Sequence, residues 1–192
     1  MAKLYFRYST VNAGKSMDLL KVAHNYMEQN KKALILTSGL DDRTQIGEVS
    51  SRVGIKQSAL PIFPGDSVLK QVESFLPVSC ILVDESQFLE PRQIKELATL
   101  VDSFNIPVIA YGLKNDFQGN LFEGTKELLV QADRIEEIKT TCWYCTKKAT
   151  QNLRLINDVP TYQGEQIQIG GNEAYRPTCR FHYHHPEIGL GS

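Results

Sequence analysis

Short, nearly unbroken apolar runs alternate along most of this chain with stretches whose apolar positions recur every three or four residues. The runs Lys3–Tyr8, Lys31–Thr37, Val78–Asp84, Ile106–Gly112 and Arg134–Lys139 have the length of strands. Val78–Asp84 is apolar at almost every position before its final acid, the pattern of a parallel strand covered on both faces. Met17–Met27 and Glu127–Ala132 read as helices. Asp66–Phe75, with apolar positions 68, 69, 72, 75 and 76, presents one helical face, and Pro77 stops it. Glu90–Phe104 does the same with apolar positions 94, 97, 98, 101 and 104, and Pro91 suits its first turn. The polar, glycine-bearing stretches Ser38–Arg52 and Leu113–Gly124 read as loops; the first holds Arg43 and Arg52 and is either a solvated loop or a segment that folds down over a phosphate. Strand and helix in alternation predict an α/β fold: a parallel sheet with helices on both faces. Ligands of such sheets bind at the carboxyl ends of the strands, where Ser9, Thr37, Asp84 and Gly112 fall.

Near residue 140 the pattern changes. Helical periodicity stops, and turn residues and cysteines take over, with a hairpin expected near 149–168. The chain therefore divides into an α/β unit, 1–139, and a smaller unit, 140–192. The 192 residues suit one domain with such an appendage. A net charge of −1 leaves no basic surplus for a polyphosphate backbone, so nucleic acid is not an expected partner. No apolar run approaches the ~20 residues of a membrane span, and no signal-peptide pattern opens the chain, so a cytoplasmic protein is expected. In that compartment the four cysteines are not expected to form disulfides, and a Cys-x-x-Cys pair points to metal.

Ser9-Thr10-Val11-Asn12-Ala13-Gly14-Lys15-Ser16 stands between the first strand and the first helix. Strand, tight loop, Gly-Lys-Ser and helix is the context of a phosphate-binding loop. Backbone N–H groups at the helix N-terminus face an anion, Lys15 adds charge, and Ser16 suits Mg²⁺. The usual motif begins with glycine where this chain has Ser9, so the loop on its own also fits an ordinary strand–turn–helix connection. Asp84-Glu85 ends the most buried strand, as a Walker B acid does: Asp84 for the Mg²⁺ shell, Glu85 as a base near the transferred phosphate. Asp84 capping the next segment, with Glu85 solvated, is the plainer alternative.

Cys142-x-x-Cys145 and Cys179-x-x-His182 are two ligand pairs joined by a long loop, together a tetrahedral Cys₃His zinc set. With all four positions filled by protein, the zinc is structural. His184 and His185 compete for the fourth place, and His182 is favoured because it repeats the spacing of the first pair. The polar segment 146–178, pinned at its feet, is placed to lie over the strand ends as a lid, with Gly170 and Gly171 allowing close backbone approach to a ligand.

Gly170-Gly-Asn-Glu-Ala-Tyr-Arg-Pro-Thr-Cys-Arg-Phe-His-Tyr183 resembles the signature of type II thymidine kinases. Asp84-Glu-Ser-Gln-Phe88 resembles their Walker B segment, and Gly112-Leu-Lys-Asn-Asp-Phe-Gln-Gly119 the segment lining their nucleoside pocket. Ser9–Ser16 is similar to the phosphate loop of the bacterial branch, which tolerates serine at the first position. The resemblance runs in order from Lys3 to Tyr183.

That resemblance implies a RecA-like P-loop fold with a zinc-binding lid, and transfer of the γ-phosphate of ATP to the 5′-hydroxyl of thymidine, also deoxyuridine, in pyrimidine deoxynucleoside salvage. Glu85 matches the catalytic base. Residues 9–16, Arg43, Asp84, Glu85, Ser86 and Gln87 match the ATP and phosphate site, with Ser16 and Asp84 on Mg²⁺. Phe88, Phe117, Leu113 and Phe122 match residues around the pyrimidine, and Ile169, Gly170, Gly171 and Tyr175 match the lid. Cys142, Cys145, Cys179 and His182 match the zinc ligands. Val11 stands where many relatives carry Met beside the thymine methyl, and Gln168 where relatives often carry Val. The family further implies a homotetramer and feedback by thymidine triphosphate. An ATPase switch, a zinc-bearing DNA-repair module and a binding protein without chemistry are the competing classes.

Overall fold

The structure, a computed structural model, describes residues 1–40, 46–51, 54–166 and 173–188. In chain order the elements begin with β1 (Leu4–Ser9), α1 (Lys15–Glu28), β2 (Ala33–Ser38), β3 (Glu48–Ser50), β4 (Lys56–Ser58), β5 (Leu60–Ile62) and α2 (Val68–Glu73). There follow β6 (Cys80–Asp84), a 3₁₀ turn (Ser86–Phe88), α3 (Pro91–Phe104), β7 (Val108–Leu113), α4 (Glu123–Gln131) and β8 (Arg134–Glu137). The last part holds β9 (Gln151–Ile156), β10 (Val159–Thr161), β11 (Glu173–Thr178) and α5 (Arg180–His184).

Six strands form one sheet in the order β5-β2-β6-β7-β1-β8, every neighbouring pair parallel. Their side chains alternate strictly between its two faces. Leu34, Leu36, Ile81, Val83, Val108 and Ala110 pack with Val68 and Val72 of α2, Ile94, Leu97, Leu100 and Val101 of α3, and Leu128 of α4. Ile35, Cys80, Leu82 and Tyr111 face the other way, onto Leu19, Leu20 and Ala23 of α1 and Val49 of β3. Apolar side chains on both faces explain why these strands lack any polar alternation. The chain leaves β1 by α1 on one face and leaves its neighbour β7 by α4 on the other. The crevice between their carboxyl ends is the switch point at which ligands of such sheets bind.

The α3 N-terminus is set by Pro91 and by Gln93, whose Oε1 accepts from the Glu90 N–H at 2.9 Å. Helix α4 begins at Glu123, four residues before the apolar pattern places it, because Glu123, Gly124 and Lys126 add no periodic signal. The segment 46–62, read as loop or unassigned, carries β3, β4 and β5. Three-residue strands are too short to show a period, and β5 holds Pro61, which its place at the sheet edge tolerates.

The expected hairpin is β9–β10, turned by Asn157 and Asp158 at φ 50° and 62°, the left-handed pair of a tight hairpin turn. Strand β11, whose Glu-Ala-Tyr-Arg-Pro-Thr sequence carries no strand pattern, lies on the other side of β9 in antiparallel register. Leu153 and Leu155 of β9 pack on Tyr183 and Tyr144.

Candidate active site

The segment after β1 reaches α1 through two left-handed residues, Asn12 at φ 61° and Gly14 at φ 84°. Gly14 is the N-cap of α1, and no side chain caps the helix start. Side chains rarely adopt such backbone, which is why glycine precedes Lys-Ser. The uncapped N-terminus presents N–H groups and the positive end of the helix dipole to an anion. Lys15 is buried, and its Nζ lies 3.1 Å from Ser9 Oγ and 3.5 Å from the Thr10 carbonyl. Below the loop, Arg7 pairs with Asp18 of α1 at 2.8 Å and with Glu136 of β8 at 2.8 Å, tying strand to helix.

At the end of β6, two strands away, Asp84 Oδ2 accepts from Ser16 Oγ at 2.9 Å. The fold thus brings together the two residues whose oxygens form a hard-cation donor set. Burial, and then the charge of Glu85, push the Asp84 carboxyl well above the ordinary carboxylate range, against the pull of Lys15 and Ser16. Glu85 is buried and left-handed at φ 50°, a conformation a glutamate holds only where its surroundings over-determine it. Its Oε2 accepts from Gln87 Nε2 at 2.5 Å, and Gln87 Oε1 accepts from the Leu113 N–H at 3.0 Å. Gln87 therefore holds the acid against the end of β7. Ser86 Oγ donates to the Tyr111 carbonyl at 2.8 Å.

This turn is packed backbone to backbone. A Cβ added at Gly124 meets the carbonyl oxygens of Leu89 and Ser86 at 2.7 Å and of Gln87 at 2.8 Å. One added at Gly112 meets Ser86 Oγ at 2.7 Å.

An open cleft of about 1000 Å³ lies over these groups. Among the residues singled out in the sequence, Val11, Asn12, Ala13, Gly14, Lys15, Ser16, Asp84, Glu85, Leu113 and Tyr175 line it. Ser9, Thr10, Ser86 and Gln87 are buried outside its lining. Phe88 and Phe122 pack edge to face at 5.5 Å, and neither lines this cleft. Phe117 is buried, with the Arg154 guanidinium 4.7 Å from its ring centre and Tyr183 OH donating to its carbonyl at 2.5 Å. Arg43, Ile169, Gly170 and Gly171, like Gln168 and Arg52, lie outside the described residues.

Thr37, placed by the sequence at a ligand-binding strand end, also lines the cleft, as does Glu48–Ser51 of the β3 region, read only as loop; sequence reasoning gives Met17, Trp143, Ala174 and Arg176 no role. Trp143 follows a cysteine in a turn, and the Arg176 guanidinium stands 5.3 Å from its ring centre. Only the proximity of Arg176 to Tyr175 and of Trp143 to Cys142 hints at them in the sequence.

Cys142, Cys145, Cys179 and His182 bring their ligand atoms within 4.8 Å of one another. Cys142 and Cys145 sit in a tight turn closed by the Cys142 N–H on the Lys147 carbonyl at 2.8 Å. Cys179 caps α5 and His182 lies one turn on, so both face the same side. Cys145 and Cys179 Sγ are 3.9 Å apart, and His182 Nδ1 is 3.6 Å from Cys142 Sγ and 3.5 Å from Cys179 Sγ. Ligands ~2.1–2.3 Å from a common tetrahedral zinc stand about 3.4–3.8 Å apart, so the set fits that metal. His184 and His185 are exposed and do not join it; His185 Nδ1 faces Glu187 at 3.7 Å.

A family model described as thymidine kinase matches residues 2–183. The chain is 56% identical over 190 residues to the thymidine kinase of Lactococcus lactis subsp. lactis, covering 98% of this chain and 100% of that one. It is 54% identical over 187 residues to that of Lactiplantibacillus plantarum, covering 97% of each. It is 53% identical over 189 residues to that of Enterococcus faecalis, again covering 97% of each.

Proposed function

The chain belongs to the thymidine kinase family, and from that premise we propose that it transfers the γ-phosphoryl group of ATP to the 5′-hydroxyl of thymidine, and of deoxyuridine, giving the 5′-monophosphate and ADP. The observation that carries the reading is the meeting of Ser16 with Asp84 at 2.9 Å under an uncapped helix N-terminus, with Glu85 held beside them.

Phosphoryl transfer depends on positioning and charge neutralisation more than on covalent chemistry. The amides of Ala13, Gly14, Lys15 and Ser16 and the Lys15 ammonium bind the β- and γ-phosphates. Ser16 and Asp84 are the residues that would hold Mg²⁺, which would supply positive charge to the phosphates. Arg43, by its match to the family, adds charge near the transferred group. Glu85 accepts the proton of the 5′-hydroxyl, and Gln87 aims it. Family resemblance assigns Leu113, Val11, Phe88, Phe117 and Phe122 to the base pocket, of which Leu113 and Val11 line the cleft, and it assigns Ile169, Gly170, Gly171 and Tyr175 to the lid that excludes the water competing as acceptor. Residues 1–139 supply the nucleotide site, and 140–192, footed on structural zinc, supply the lid. A homotetramer, thymidine triphosphate as inhibitor and a cytoplasmic setting are supported by family resemblance, and among the described residues no helix is long and apolar enough to cross a membrane.

The test is ADP release from ATP and Mg²⁺ with and without thymidine, deoxyuridine and deoxycytidine. Release that requires thymidine or deoxyuridine is expected. Release independent of nucleoside assigns the site to an ATPase and overturns the kinase reading.

A further inference from the structure

The face of β9 opposite Leu153 and Leu155 meets the loops that follow β1 and β7, through Asn152 and Arg154. Asn152 lies on that docked face and is 1% exposed. Its Oδ1 accepts from the Val11 N–H at 2.8 Å, and its Nδ2 donates to the Asn115 carbonyl at 2.7 Å. The amide orientation follows from chemistry, since a backbone N–H only donates and a carbonyl only accepts. One side chain thus joins the phosphate loop, the β7–α4 loop and the strand leading from the cysteine turn.

From this juxtaposition we infer that Asn152 is a positioning residue that sets the phosphate loop for the donor. The Val11 N–H is fixed on the Asn152 carboxamide, which does not line the cleft, and the chain enters its left-handed turn at the next residue, Asn12. Asn12 carries a second tie, from its Nδ2 to the Tyr175 carbonyl at 3.3 Å. Two consecutive loop residues are therefore held by β9 and β11 rather than by the sheet that bears the loop. Only a carboxamide of this length serves both partners: Asp offers no donor, and Leu neither group. Without it, a buried N–H and a buried carbonyl lose their partners, and the loop relaxes to hydrate them. The neighbouring bond, Asn115 Nδ2 to Gln151 Oε1 at 3.0 Å, belongs to the same strand end but does not touch the phosphate loop, so it is the internal control.

The inference rests on the phosphate-binding reading of residues 9–16. Inorganic tripolyphosphate with Mg²⁺ tests both by calorimetry on the full chain at a temperature where every variant is folded. Wild type that binds no tripolyphosphate overturns the phosphate-loop reading itself. With wild type binding, Asn152→Ala is expected to weaken tripolyphosphate at least fivefold, and to raise KM for ATP but not for thymidine. Gln151→Ala is expected to stay within twofold on all three. Asn152→Thr suits a strand and keeps the site filled, yet its hydroxyl reaches one partner at most; it is expected to follow Asn152→Ala and stands in for it should the alanine variant not fold. Wild-type tripolyphosphate affinity in the Asn152 variants, or an equal loss in Gln151→Ala, overturns the assignment.

Discussion

Gly124 occupies the second position of α4, where alanine normally stabilises a helix by up to ~1 kcal/mol. Here the structure reverses that expectation. The added Cβ lies 2.7 Å from two carbonyl oxygens and 2.8 Å from a third, all from Ser86, Gln87 and Leu89. Ordinary contact begins near 3.4 Å, so the turn must retreat by about 0.7 Å, and because the obstacles are backbone atoms it moves as a unit. Overpacking of this kind costs about 1–3 kcal/mol, which offsets the helix gain. The retreat carries Gln87, whose bonds to Glu85 and Leu113 hold the acid in its left-handed pose. Misplacement by about 1 Å is enough for a loss of ~10² in turnover. Gly124→Ala is therefore expected to lower kcat ten- to a hundredfold and to lower the melting temperature, measured by steady-state ADP release and by circular dichroism. A variant that melts higher than wild type with kcat within twofold would show that the turn does not depend on this contact.

Glu85→Gln removes the proposed proton acceptor while leaving the phosphate loop intact; turnover is expected to fall by ~10²–10⁴ with ATP binding retained, and wild-type turnover would remove Glu85 from that role. Zinc analysis is expected to give one ion per chain, lost with a fall in melting temperature in Cys145→Ser; wild-type zinc content in that variant would dissolve the ligand assignment. The Asp18 carboxyl, although burial raises it, is held below its usual range by hydrogen bonds from Lys21 and Tyr111 and by the charge of Arg7. Its contribution to stability is thus fully present above the unfolded value near pH ~4 and is lost as pH falls through the lower folded one. Asp18→Asn is expected to flatten the acid limb of the melting-temperature profile below about pH 4; an unchanged limb would count against the pairing.

The central strands were legible because burial on both faces writes an uninterrupted apolar run, as in Cys80–Asp84. The phosphate loop and the cysteine pairs were legible because their chemistry fixes short spacings. The β3 region of the cleft was not, since Glu48–Ser50 is three residues long and gains its place through pairing with Lys56–Ser58. Asn152 left no signal at all: its role comes from residues 37 and 141 positions away that only the fold brings near. Phe117, which resemblance places beside the base, is buried with the Arg154 guanidinium over its ring, a partner 37 positions away that nothing in the sequence announces.

Serine at the head of the phosphate loop has a consequence of its own. A charged ammonium as buried as that of Lys15 needs oxygens around it at all times, and the Ser9 hydroxyl is one of them. Glycine, the commoner residue there, offers no such oxygen. The loop thus supplies oxygens to its own lysine, from the Ser9 hydroxyl and the Thr10 carbonyl. Replacing Ser9 by glycine would remove one of those oxygens rather than restore an ideal motif.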